Sequence, residues 1–340
     1  MEKRKIGNIE VSAIGMGCMG FSHGYGEIPT ESYSIEAIQK AFDFGCTFFD
    51  TAETYGPNVL PENYGHNEKI LAKALKDVRK DVVIATKLHL PTDEAKTIGI
   101  YETLKRHLEK SLENLQTDYV DLYYLHRINP DIPIEDVAEG MGKLINEGLI
   151  KGWGLSQVPV DIIEKAHKIT PLSAIQNIYS MIERSIEDDV APYCVKNNIG
   201  IVPFSPIASG FLSGKVTTQT DFSHSDDVRK FIPQLRKENI EANQPILDLL
   251  AEYAEKKNAT KAQISLAWML HKYPNIVPIP GSKNKERIIE NLGAWNVILS
   301  DEEFENLEKA LNLIPVHGFR GHVEIEGGKM EDWNREKPKK

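Results

Sequence analysis

The chain lacks the features on which several function classes depend. Cysteine is scarce: Cys18, Cys46 and Cys194 are odd in number and far apart in a chain of 340 residues. No CxxC or zinc spacing occurs. This argues against a disulfide framework and fits reduced thiols in a cytosolic protein. Positive charge is in deficit, with 40 Lys and Arg against 50 Asp and Glu and a net charge of −10. A nucleic-acid backbone or an anionic membrane surface would want a basic face, so neither partner is expected. No apolar run is long enough to span a bilayer. The opening MEKRKIGNIEV is charged and has no apolar core, so no signal peptide is expected and the cytoplasm is the expected location. A GxSxG elbow and a P-loop are both missing, which leaves hydrolase and phosphoryl-transfer readings without support. His89, His107, His167 and His271 lie on separate segments with no carboxylate or cysteine at ligand spacing, so no metal is expected.

What is present is an alternation. The short apolar runs SAIGMG, CTFFD, DVVIATK, YVDLYYLH, KGWGLS, SAIQNI, IGIVPFS and NIVPIPGS are separated by amphipathic segments. SIEAIQKAFDFG reads as a helix stopped at Gly45. IYETLKRHLEKSLENL, PIEDVAEGMGKLINEG and KAQISLAWMLHKY also have helical spacing. Strands apolar on both faces and separated by helices predict a parallel sheet covered by helices. Eight such units suggest a (β/α)8 barrel, although periodicity alone leaves an open sheet possible. Polar residues at the ends of run after run favour the barrel: Asp50, Lys87, His126, Ser156, Gln176, Ser205 and Ser282. A barrel site is built from strand ends all around that face, whereas a switch-point site uses few strands.

Residues 1–340 are read as one barrel domain. Gly7-Asn8 between short alternating segments predicts a hairpin over 1–13, and 316–340 reads as a loop or tail. The stretches 56–66 and 208–239 lengthen the loops after the second and seventh strands, where lids are often found. GMGCMG over 15–20 fits GxGxxG, but loop follows it and helical pattern starts only near Ser32. A dinucleotide fingerprint needs the helix at once, so these glycines are read as letting backbone approach a ligand. Asn67 reads as a helix N-cap.

Four polar residues invite a chemical reading. Asp50 ends one apolar run, Tyr55 follows it five positions later, Lys87 ends the next run and His126 the one after. A lysine ending an apolar strand asks for a charged partner, and Asp50 supplies one. Phenol has an ordinary pKa of about 10, and an adjacent ammonium lowers it. Together the four make a proton-donating site. Farther on, Ser282, Lys283 and Arg287 set a hydroxyl, an ammonium and a guanidinium at a helix start, which suits a phosphate.

In order along the chain, DTAETYG, TKLHL, YYLHR, GLSQ, IQNIYS, FSPIASGFLSGK and IPGSKNKERIIENLGAW resemble the landmarks of the aldo-keto reductase family. The resemblance covers nearly the whole chain. It implies a (β/α)8 barrel whose hairpin closes the bottom, and reduction of an aldehyde or ketone by hydride from NADPH. Tyr55 is then the general acid, Lys87 tunes it, Asp50 pairs with Lys87, and His126 orients the carbonyl. Met19, Gly20 and Asp50 become cofactor neighbours, and Ser156, Gln157 and Gln176 clamp the nicotinamide carboxamide. Phe204 stacks on the nicotinamide. Ser205, Pro206, Ile207, Ser209, Gly210 and Lys215 surround the pyrophosphate. Gly281, Ser282, Lys283 and Arg287 take the 2′-phosphate, and Glu290 and Asn291 reach the adenine. Two positions depart from common members: Gln157 stands where asparagine is frequent, and Phe204 where tyrosine is. Arg229 is a further cofactor candidate, and Phe21, Tyr25, Tyr64, Ile128 and Phe319 are candidate walls of a small carbonyl-substrate pocket.

Two other readings compete. One is a cofactor-binding regulatory or sensor subunit, resembling potassium-channel β subunits. The other is a lyase or isomerase using Lys87 as a Schiff-base residue. The substrate itself and the oligomeric state are not legible in the sequence.

Overall fold

A computed structural model of the chain describes residues 1–321. The expected hairpin is formed by β1 (Lys3–Ile6) and β2 (Ile9–Ser12), paired antiparallel with Ile6 opposite Ile9. Gly7 turns the chain at φ +59°, and a Cβ there would lie 2.9 Å from the Ser173 backbone. Seven parallel strands follow in sequential order: β3 (Met16–Gly17), β4 (Phe48–Asp50), β5 (Val83–Leu88), β6 (Val120–Leu125), β7 (Ile150–Ser156), β8 (Ala174–Gln176) and β9 (Gly200–Ile201).

The eighth apolar segment, NIVPIPGS, differs from expectation. It forms no regular strand, with a single parallel bridge from Ile276 to Ile201. Pro278 and Pro280 remove two backbone donors from the ladder. The segment nevertheless closes the barrel. Val277 N–H donates to Ile201 O at 2.8 Å, Ile279 N–H to Pro203 O at 3.1 Å and, on the other side, Gly15 N–H to Pro278 O at 2.9 Å.

Alternation along the strands sorts the core into two parts. Phe48, Ala85, Leu122, Tyr124, Ala174, Val202, Val277 and Ile279 point inward and form one cluster with Ile6, Ile9 and Val11 of the hairpin. Their strand neighbours Phe49, Ile84, Tyr123, Leu125, Ile175 and Ile201 point outward, into a ring packed under the helices. Two apolar layers with period two are what a closed parallel sheet requires. The hairpin plugs the bottom: at Gly200 a Cβ would meet Ile6 at 2.4 Å.

The helices obey local rules. Glu31–Asp43 starts at Thr30, whose side chain accepts from Tyr33 N–H, and the chain leaves it through Gly45 at φ +98°. Ile100–Leu115 buries Leu104, Leu108, Leu112 and Leu115 on one face. Capping boxes at Thr260/Gln263 and Ser300/Glu303 open Lys261–Lys272 and Asp301–Leu313. No helix among the described residues is long and apolar enough to cross a membrane. Cys18, Cys46 and Cys194 are free and buried, and burial pushes the thiols of Cys46 and Cys194 up to about 12.

Candidate active site

Strand geometry delivers the polar residues to one place. Phe48, Ala85, Tyr124 and Ala174 face the barrel interior. Two residues further along each strand come Asp50, Lys87, His126 and Gln176, which period two turns to the same side. They form the top interior layer, at the C-terminal ends of the strands. Tyr55 enters from the loop after β4. That loop is held by Gly65 N–H on Glu53 O at 2.7 Å and Asn67 N–H on Tyr55 O at 3.0 Å.

Lys87 is the hub. Its side chain is fully buried, and Nζ donates to Asp50 Oδ1 at 2.5 Å, to Thr51 O at 2.7 Å and to Tyr55 OH at 3.2 Å. The other Asp50 oxygen accepts from Gln176 Nε2 at 2.7 Å. Burial pulls the Lys87 ammonium down, but Asp50 and Tyr55 together outweigh it and hold it above its ordinary value. Burial is also the largest influence on Tyr55 and leaves the phenol net raised, against the downward pull of Lys87. The expected lowering by Lys87 is therefore present as one contribution but does not set the direction. The ring of His126 meets Tyr55 edge-on, with centroids 5.8 Å apart. Burial first, then His89 and Arg127, holds His126 well below the ordinary histidine value, so its imidazole is neutral.

Several of the residues read as cofactor contacts are already engaged. Ser156 Oγ accepts from Arg127 Nη1 at 3.0 Å, Gln157 Oε1 accepts from Ile178 N–H at 2.6 Å, and Gln176 is on Asp50. Phe204 continues the inward face of β9 beyond Val202 and pairs with Ile178 in a parallel bridge. After it the backbone turns left-handed at Ser205, Ala208, Ser209 and Gly210, with φ of 53, 49, 54 and 102°. Such conformations are costly for non-glycine residues and cluster at ligand sites. Pro206 is buried and Ile207 half-buried beside them, and the buried Ser209 Oγ has no partner. Met19 and Gly20 lie across from Lys283, whose Cγ would be 3.4 Å from a Cβ at Gly20. Gly281 packs on Gly17, leaving no room for a side chain. An orphaned hydroxyl, left-handed turns and nearby cations suit a bound polyanionic nucleotide.

Several expectations change in detail. Lys283 Nζ donates to the carbonyls of Tyr25 and Glu27 at 2.8 and 2.7 Å, tying the first loop to the eighth. Lys215 and Glu290, read as separate contacts, pair with each other at 2.8 Å. Arg229 is committed to Asp227 and to the rings of Tyr25 and Phe222. Ser282 Oγ accepts from Asn284 N–H at 3.1 Å, Arg287 is exposed and Asn291 is buried. Asn67 is not the N-cap. Gly65, at φ +78°, holds that position. Asn67 instead staples loops together, accepting from Thr51 Oγ1 at 2.7 Å and donating to Cys18 O and Ser22 Oγ. Phe21 is fully buried in the core. Tyr64 is exposed, while Tyr25, Ile128 and Phe319 are half-buried. In the tail read over 316–340, residues 322–340 lie outside the described residues.

Four residues near the site were not among the candidate site residues of the sequence. His23 stacks obliquely against Tyr55 at 5.2 Å, and His89 against His126 at 4.5 Å. Glu53 accepts from the His89 backbone and from His107 Nδ1. Arg320 is buried, with Nε on Ser205 Oγ at 3.2 Å and Nη1 without a partner. His89 carried a signal, since it continues the inward face of β5 two residues past Lys87. His23 and Arg320 carried none. Among the described residues, no cluster of His, Cys, Asp or Glu is arranged to hold a metal.

The family model described as Aldo/keto reductase family matches residues 13–312. A probable aldo-keto reductase 1 from Glycine max is 37% identical over 315 residues, covering 92% of this chain and 88% of that protein. The structure resembles a glycerol dehydrogenase from Gluconobacter oxydans, with a TM-score of 0.80 at 25% identity over 94% of this chain and 98% of the other. It also resembles an aldo-keto reductase from Klebsiella pneumoniae in complex with NADPH, with a TM-score of 0.69 at 27% identity over 93% of this chain and 96% of the other.

Proposed function

The chain belongs to the aldo/keto reductase family, and from that premise we propose that it reduces aldehydes or ketones to alcohols with NADPH, in the cytoplasm. The observation that carries this reading is the buried Lys87 ammonium shared between Asp50 and the Tyr55 hydroxyl. Reduced nicotinamide supplies a hydride when bound. The protein's part is to place the carbonyl and deliver the proton.

Tyr55 donates its hydroxyl proton to the carbonyl oxygen as the C–H bond forms, and takes it back when an alcohol is oxidised. The raised phenol is protonated at neutral pH, as a donor must be. Once the proton has left, the phenolate lies beside Lys87, which stays charged because Asp50 holds it. Neutral His126 donates a hydrogen bond to the carbonyl oxygen and positions it against Tyr55. For the cofactor, the assigned groups are Phe204 against the nicotinamide, the Ser205–Gly210 turn and Lys215 around the pyrophosphate, and Arg287 with Ser282 toward the 2′-phosphate.

The test is oxidation of NADPH with 4-nitrobenzaldehyde, followed by absorbance. Tyr55→Phe should cut turnover by about 10²–10⁴-fold, the usual worth of a general acid, with NADPH affinity nearly unchanged. A variant retaining more than a few per cent of turnover removes Tyr55 from this role. Wild-type protein that binds NADPH but reduces no carbonyl compound would favour the sensor reading.

A further inference from the structure

The mouth of the barrel around Tyr55 is lined by imidazoles. His23 lies 5.2 Å from the Tyr55 ring, His126 5.8 Å from the same ring, and His89 4.5 Å from His126, centroid to centroid. All three are buried. His23 Nε2, His89 Nε2 and His126 Nδ1 have no hydrogen-bond partner, and neither has Thr54 Oγ1, next in the chain to Tyr55. A buried polar atom without a partner costs about 1–3 kcal/mol, so several of them on a connected set of rings beside Tyr55 call for a ligand.

His23 and His89 are also held in place. The His23 backbone N–H donates to Met19 O at 3.1 Å, and the following Gly24, at φ +89°, donates to Asp226 Oδ2 at 2.8 Å. The His89 N–H donates to Glu53 Oε1 at 2.9 Å, and Glu53 is itself fixed by His107 at 2.7 Å.

We propose that the substrate carries a hydroxyl group on the carbon adjacent to its carbonyl carbon, and that His23 and His89 bind that hydroxyl. The inference rests on carbonyl reduction at Tyr55. A carbonyl oxygen shared by Tyr55 and His126 brings the adjacent carbons within reach of the two neighbouring rings. A hydroxyl both donates and accepts, so it satisfies either tautomer of a neutral imidazole. A plain alkyl chain would leave both nitrogens buried and unpaired. A carboxylate would need charged imidazoles, whereas burial pushes His23 and His89 down to about 4.

The experiment uses isosteric pairs that exchange a hydroxyl for a methyl: glycolaldehyde against propanal, and hydroxyacetone against butanone. Each is compared by kcat/KM, corrected for hydration. Wild-type protein should favour the hydroxylated member about ten- to hundredfold, the range that one or two satisfied buried groups provide. His23→Phe and His89→Phe should bring the ratio toward one. His23→Gln and His89→Gln, which restore an amide near the lost Nε2, should keep most of it. A wild-type ratio near one overturns the proposal, as do phenylalanine variants that keep the preference. Should the phenylalanine variants fail to fold, the wild-type and glutamine ratios still decide. Reduction of 4-nitrobenzaldehyde without any hydroxyl preference sinks this inference alone. No reduction of any carbonyl compound sinks the proposed activity with it.

Discussion

Neutralising Arg287 and Lys283 separately should have different consequences for cofactor choice. From sequence the two cations form one phosphate cluster. In the structure Lys283 is engaged with the carbonyls of Tyr25 and Glu27, and Lys285 is paired with Glu36. Arg287 is exposed on the first turn of Lys285–Leu292, its backbone N–H on Asn284 Oδ1 at 2.9 Å, with no ion pair to its guanidinium among the described residues. Arg287 is therefore the cation free to meet a 2′-phosphate. A charge-assisted contact contributes roughly 1.5–3 kcal/mol, and exposure favours the lower end, about tenfold in affinity. Arg287→Ala should raise the Kd for NADPH about tenfold and leave NADH within about twofold. Lys283→Ala should free the loop at residues 25–27 and weaken both cofactors alike, leaving their ratio in place. Fluorescence titration of each variant with both nucleotides, at low ionic strength to limit screening, separates these outcomes. An unchanged ratio in Arg287→Ala, or a ratio that collapses only in Lys283→Ala, would refute the reasoning.

Lys87→Met should abolish turnover and also destabilise the fold by about 3–5 kcal/mol, because it strands the Asp50 carboxylate without its cation. Chemical denaturation checks the second effect, and a variant as stable as wild type would show that Asp50 is better solvated than its burial suggests. Carbonyl reduction should be flat through neutral pH and fall only in the alkaline range, since the phenol is raised and must be protonated to donate; alcohol oxidation, which needs the phenolate, should rise in that range. His126, held neutral by burial, should add no downturn as pH falls from 8 toward 6, and a neutral-range acid limb in kcat would argue against this. Glu68 is fully buried between Thr86 and Asn114, and burial raises its pKa. A raised carboxyl contributes stability below its unfolded value and loses it as pH rises through its folded value, so Glu68→Gln should raise Tm more at pH 8 than at pH 4. An equal shift at both would show that the carboxyl does not titrate there.

Much of this arrangement was legible before any tertiary contact was known, because it depends on neighbours in the chain. Period two within a strand determines that Asp50 faces as Phe48 does, Lys87 as Ala85, His126 as Tyr124 and Gln176 as Ala174. The hairpin turn at Gly7-Asn8 and the helix stop at Gly45 are likewise properties of a few consecutive residues. The eighth apolar run takes its place in the barrel, but Pro278 and Pro280, both visible in the sequence, withhold two donors and leave it short of a regular ladder. The fold alone decided which atoms meet. Gln176 reaches Asp50 across 126 residues, and Lys283 reaches Tyr25 across 258. Neither pairing leaves a local trace. Asn67 has the chemistry of a cap, yet Gly65 takes that place and frees the amide to bind Thr51, Cys18 and Ser22. In the sequence His23 is an ordinary histidine, while His89 shows only that it continues the inward face of β5. They become a polar mouth around Tyr55 only because loops after β3 and β5 converge there, and convergence of distant loops depends on how the barrel closes, which no local pattern encodes.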